Sequence, residues 1–67
     1  MKFNFEAIKE FREAIGYTQA FAADRAGVAY QQWQRWEKGE STPSCENLCK
    51  IADALYLSID SMVYFFK

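Results

Sequence analysis

Apolar residues recur along this chain at helical spacing, broken into short pieces by glycine, proline and capping residues. Phe5, Ile8, Phe11 and Ile15 follow one another in steps of three and four, with Ala7 and Ala14 beside them, which lays a single stripe along a helix. Asn4 stands before the stripe as an N-cap and Gly16 after it as a left-handed C-cap. Thr18 opens a second piece, Gln19 to Ala26. Its Ala22, Ala23 and Ala26 form a small-residue face that lets another helix approach closely. Gly27 then permits the positive φ of a tight turn. The third piece runs from about Ala29 to Lys38 and stops at Gly39. At about 100° per residue, Trp33, Trp36 and Glu37 share one face, and Gln31, Gln34, Arg35 and Lys38 the other. A loop from Gly39 to Pro43 leads to Ser44, which caps a fourth helix striped by Leu48, Ile51, Ala52 and Leu55. Ser58 caps a short fifth helix carrying Ile59, Met62 and Val63. No segment alternates with period two. The expected fold is all-α, a compact five-helix bundle in one domain, 1–67, with helices two and three joined by a tight turn.

Composition narrows the chemistry. With 67 residues, 51% hydrophobic and 18% aromatic, the chain has apolar material for one small core and is not a disordered segment. It has no histidine, so the commonest general base and the commonest zinc ligand are both absent. Its two cysteines, Cys45 and Cys49, make neither a disulfide framework nor, without histidine, a convincing metal site. They are read as small apolar side chains of the fourth helix. No glycine loop suited to phosphate and no carboxylate pair in a pocket is apparent, so an enzyme is not expected. The N-terminus lacks a signal-peptide pattern, and no run approaches the ~18 apolar residues of a membrane span. A soluble cytoplasmic setting is expected, with no membrane partner, cofactor, metal or small-molecule ligand.

Two short helices around a glycine turn describe a helix-turn-helix, whose second helix enters the DNA major groove. That helix turns glutamines and an arginine outward. Glutamine pairs in bidentate fashion with adenine N6/N7, and arginine with guanine O6/N7. Trp33 and Trp36 lie together on the opposite face, which makes them core residues and not base-stacking ones.

The ordered set along the chain resembles the lambda-repressor-like, or XRE, family of helix-turn-helix domains, over roughly residues 5 to 64. Arg12, Thr18-Gln19, Ala23, Gly27-Val28 and Trp36-Glu37-Lys38-Gly39 carry the resemblance. So do Pro43-Ser44, Glu46-Asn47-Leu48-Cys49-Lys50-Ile51-Ala52-Asp53-Ala54-Leu55 and Ser58-Ile59-Asp60. The resemblance implies a transcriptional regulator, most often a repressor of phage or other mobile-element type, bound to double-stranded DNA. It places Ala29, Tyr30, Gln31, Gln34 and Arg35 at base-reading positions, and Thr18, Gln19 and Lys38 at phosphates. It implies a buried structural ion pair between Arg12 and Glu37. It also sets out departures. Ala29 stands where a capping serine is usual, Ala22 where a large core residue is usual, and Phe21 where an acid is usual. Phe21 is then either exposed or repacked, and Trp33 fills the space that Ala22 leaves.

Two features remain. Net charge is −1, and the motif from Tyr17 to Ser44 balances Arg25, Arg35 and Lys38 against Asp24, Glu37 and Glu40. Non-specific affinity should be modest and salt dependence shallow. The tail Tyr64-Phe65-Phe66 puts three aromatics near the end of a small domain. With Met62 they are assigned to a homodimer interface, since exposed apolar patches usually mark contacts, the alternative being harmless fraying. A dimer suits a palindrome read by two recognition helices about 34 Å apart. The competing functional reading is a protein-binding module on the same fold, antitoxin-like or part of a complex. The acidic balance, Phe21 and the tail favour it.

Overall fold

The structure, a computed structural model, describes residues 3–66, and for Ile59, Met62 and Val63 the backbone alone. The interface role expected of Met62 therefore lies outside the described residues. The helices are α1 (Phe5–Ala14), α2 (Gln19–Ala26), α3 (Tyr30–Lys38) and α4 (Cys45–Ala54). The last piece, Ile59–Phe65, winds as a 3-10 helix, so the expectation of five α-helices is corrected to four and one 3-10 segment. The reason is partly local and partly a long-range contact. The segment is short, its first turn closes from Ser61 N–H to the Ser58 carbonyl, and its last carbonyls are taken by the other end of the chain. Asn4 N–H donates to the Phe65 carbonyl at 2.6 Å, and the Asn4 side-chain amide donates to the Tyr64 carbonyl at 3.1 Å. An antiparallel bridge joins Phe3 to Phe66, and the described residues form no strand. Asn4 thus ties the two chain ends together and makes no side-chain cap to α1, contrary to expectation.

The other helix starts follow their capping residues. Thr18 Oγ1 accepts from Phe21 N–H at 3.1 Å, and Ser44 Oγ accepts from Asn47 N–H at 3.1 Å. Ala29, at the start of α3, has the extended backbone of a cap (φ −66°, ψ 144°) but no side-chain acceptor. Ala29→Ser is therefore expected to stabilise the fold by about 1 kcal/mol. That is a rise in Tm of about 4–8 °C for a domain of this size, measurable by thermal unfolding.

All four α-helices end on a left-handed residue whose N–H, with that of the next residue, caps the last carbonyls. In the first three it is Gly16, Gly27 and Gly39; after α4 it is Tyr56, at φ 59°. A side chain in that conformation costs on the order of 1 kcal/mol. Arg25 offsets the cost, donating to the Tyr56 hydroxyl at 2.7 Å with its guanidinium 5.4 Å from the ring centre. Glycine is required most strictly at Gly39, where an added Cβ would meet the Phe5 ring at 2.9 Å.

α3 is the hub. It packs on α1 and α2, α2 also packs on α4, and the 3-10 segment lies against α1 and α4. Trp33 and Trp36 are fully buried at the centre, against the small face of α2 formed by Ala22, Ala23 and Ala26. Large rings on α3 and bare methyls on α2 are complementary, which lets the two helices approach closely. Phe21 keeps 48% of its surface exposed, its ring set edge-on to Tyr17 with centroids 4.6 Å apart. Phe65, expected at an interface, is completely buried within its own chain, with ring contacts to Phe3 and Phe11. Phe66 is half-buried against Phe3, and of the three tail aromatics only Tyr64 is exposed. The return of the tail over Phe3 and Phe11 supplies cover that helical periodicity could not reveal. Cys45 and Cys49 are both exposed, so the expectation of apolar packing is corrected. Leu48, Ile51, Ala52 and Leu55 carry the buried side of α4.

Candidate nucleic-acid interface

The two faces of α3 differ sharply. Trp33, Trp36 and Glu37 are buried, whereas Tyr30, Gln31, Arg35 and Lys38 are exposed and Gln32 and Gln34 half-buried. Ala29 is exposed in the turn before the helix. The buried tryptophans fix the rotation of α3 about its axis, and that rotation decides which residues project outward.

Glu37 is the most heavily engaged polar group described. Arg12 Nε donates to its Oε2 at 2.6 Å and Arg12 Nη2 to its Oε1 at 3.0 Å, a bidentate pair. Gln19 Nε2 donates to Oε1 at 3.0 Å, and the Trp33 indole N–H donates to Oε2. Arg12 Nη1 donates to the Tyr17 carbonyl at 2.7 Å. One carboxylate therefore joins α1, the start of α2 and α3, and sets the angle of the helix-turn-helix. Among the described residues no buried side-chain polar atom is left without a partner. Burial pushes the Glu37 carboxyl upward, but the hydrogen bonds from Arg12, Gln19 and Trp33 and the charge of Arg12 outweigh it, so its pKa lies below the usual value. The hydrogen bond to Glu37 raises the Arg12 pKa against the opposing effect of burial.

The site residues expected at phosphates are placed differently from one another. Lys38 is exposed at the end of α3. The Thr18 oxygen accepts the capping N–H, and its hydroxyl proton remains available to donate. The Gln19 amide is turned toward Glu37, which takes one of its two N–H donors. What the start of α2 offers an anion is its first-turn backbone N–H groups, Thr18 and the second amide N–H of Gln19. Arg25 is engaged with Tyr56 and Arg12 with Glu37, which leaves Arg35 and Lys38 as the cations on α3 itself.

Gln32 and Ser41 escaped the sequence reading. Gln32 Nε2 donates to Ser41 Oγ at 3.0 Å, holding the 39–43 loop against α3. Gln32 falls at the border between the buried and exposed faces, and its partner lies nine positions on across a turn, so neither periodicity nor a local motif could have paired them.

A helix-turn-helix family model matches residues 8–61. The chain is 46% identical over 57 residues to the cryptic phage CTXphi transcriptional repressor RstR of Vibrio cholerae, covering 85% of this chain and 51% of that protein. It is 38% identical over 62 residues to an uncharacterised transcriptional regulator of Rhodospirillum rubrum, covering 92% of this chain and 55% of that one. The chain thus spans about half the length of these relatives. Its fold is similar to the DNA-binding domain of the P22 c2 repressor, with TM-score 0.83 and 29% identity over 94% of this chain and 86% of that one. It is also similar to the restriction-modification controller protein C.AhdI of Aeromonas hydrophila, with TM-score 0.82 and 26% identity over 87% and 88%. Its matched residues, its α2–turn–α3 geometry and its structural neighbours agree: the chain belongs to the lambda-repressor-like (XRE) family of helix-turn-helix proteins.

Proposed function

We propose that this chain is a sequence-specific, double-stranded-DNA-binding transcriptional regulator, a homodimeric repressor that reads a palindromic operator in the major groove. Residues 1–67 form its DNA-binding domain, acting in the cytoplasm. The observation that carries the reading is the asymmetry of α3. Its buried tryptophans and Glu37 lock the helix in place, while Tyr30, Gln31 and Arg35 project from it. Gln31 and Gln34 read adenine edges and Arg35 reads guanine, with Ala29 and Tyr30 lying against base edges at the helix start. Thr18, the second amide N–H of Gln19, the first-turn amides of α2 and Lys38 bind phosphates. Support comes from the relatives. RstR is named a phage repressor, and the P22 c2 repressor is known in complex with a synthetic operator. The homodimer rests on Tyr64, 61% exposed beside the half-buried Phe66, at the end of the molecule where Phe3 and Phe11 also reach the surface.

On a duplex enriched from random sequence, Gln31→Ala and Arg35→Ala each lower the preference for the matched base by about 1–3 kcal/mol, read by competition against single-base variants. Unchanged base preference in both would remove these two residues from the reading face. Ser41→Ala is expected to act differently. Freed from Gln32, the 39–43 loop is held only by its ends, through the Glu40 N–H to the Arg35 carbonyl and the buried Pro43, so binding weakens several-fold on matched and mismatched duplexes alike. Anisotropy titrations of the variant on both duplexes measure this. A change confined to one base pair would assign Ser41 a reading role.

The second reading, a protein-binding module, is favoured by the exposed rings of Phe21 and Tyr56, which retain 48% and 68% of their surface. It predicts a stable heteromeric partner and no retention of DNA at low salt.

A further inference from the structure

Cys45 and Cys49 are free, exposed and one helical turn apart on α4. The turn that carries them is regular: Ser44 caps it, and Leu48 N–H donates to the Ser44 carbonyl at 2.8 Å. Positions i and i+4 of a helix share a face, with Cβ atoms about 5–6 Å apart. A disulfide needs about 3.5–4.5 Å between Cβ atoms, so direct closure would distort α4. A single atom inserted between the two sulfurs needs no such distortion. The donor set is limited to these two thiols. The chain has no histidine, and the described residues contain no group of three metal-ligating side chains. Within one chain the described residues thus offer no tetrahedral zinc site, and the pair favours a soft centre satisfied by two sulfurs. We infer that Cys45 and Cys49 form a two-thiol chelate for a trivalent organoarsenical, whose own arsenic–carbon bond fills the position for which the protein has no ligand.

The reaction is a condensation. An organoarsenous acid, R–As(OH)2, meets two thiols. Two As–O bonds break, two As–S bonds form, and two waters leave with the two thiol protons. Arsenic stays trivalent, so no oxidant or reductant is required. Once the first As–S bond has formed, the second closes within the molecule, and the chelate outlasts any single As–S bond by about 100-fold or more.

The test uses phenylarsine oxide and intact-mass spectrometry, with Cys45→Ser and Cys49→Ser as variants. Both positions are exposed, and circular dichroism verifies that each variant is folded. The parent chain takes up one phenylarsenic group at equimolar probe, with loss of one water per phenylarsine oxide (two from its hydrate, the arsenous acid), and retains it against excess glutathione. Each variant releases the group at about 100-fold lower competitor. Two adducts per parent chain, or equal retention by the parent and either single variant, would overturn the chelate. The readout involves neither DNA nor assembly, so its failure is separate from any failure of the proposed function.

Discussion

Glu37→Ala is expected to destabilise this chain by about 3–5 kcal/mol, because it strands a buried guanidinium. The substitution also takes the acceptor from the Gln19 amide and the Trp33 indole, both held by the same carboxylate. Total stability for a domain of this size is on the order of 3–10 kcal/mol, so the loss is about a third of it or more and the variant unfolds at much lower urea. Arg12→Met with Glu37→Leu should cost less than the two single changes added together, since it removes both charges at once. Urea unfolding of the four chains measures the difference. The pair also sets an acid limit. The Glu37 carboxyl has a lowered pKa in the folded state, so its contribution is complete above the unfolded value, about 4.3, and is lost as pH falls through the folded value. Arg12, with its pKa raised, keeps its contribution throughout the acid and neutral range. Glu37→Gln should therefore lack part of the stability loss that the parent shows below about pH 4.3. Equal acid sensitivity in both would remove Glu37 as its source.

Phe65→Ala carries the second large effect, about 3–5 kcal/mol, through a cavity left in the monomer. The side chain is completely buried, with ring centroids 6.4 Å from Phe3 and 5.9 Å from Phe11. Because the loss lies within one chain, it should not depend on protein concentration. Tyr64→Ala is the counterpart. Tyr64 is exposed and touches Phe11 edge-on at 6.1 Å, so its removal should leave monomer stability nearly unchanged and weaken self-association instead. Urea unfolding at several concentrations, with analytical ultracentrifugation, separates the two. A Phe65→Ala chain as stable as the parent but unable to associate would return Phe65 to an interface.

Helix boundaries were legible where chemistry is local. Thr18 and Ser44 cap their helices, and the glycines after α1, α2 and α3 end them in the left-handed conformation that their positions suggest. The opposed faces of α3 were legible for the same reason, since a helical period alone separates Trp33 and Trp36 from Gln31 and Arg35. What could not be read depends on contacts between distant parts of the chain. Asn4 looks like a cap but is drawn to carbonyls sixty positions on, and that attachment also buries Phe65 and favours a 3-10 ending over a fifth α-helix. The inward turn of Gln19 follows from the fourfold demand of one buried carboxylate, and spacing gives no sign of it. Tyr56 shows the converse. It occupies a glycine-type position that propensity would reject, held there by an arginine from another helix.

The central claim is that α3 reads base sequence from the major groove. Selection of bound duplexes from a random library, followed by titration of the winner across salt, tests it most directly. Enrichment of a palindrome with half-site centres about one helical turn, ~34 Å, apart is the predicted result. The accompanying salt slope should be shallow, about −1 per bound chain, since Lys38 is the cation of α3 assigned to a phosphate and Arg35 is assigned to a base edge. No enrichment above background at low salt would contradict the claim and turn attention to the exposed rings of Phe21 and Tyr56.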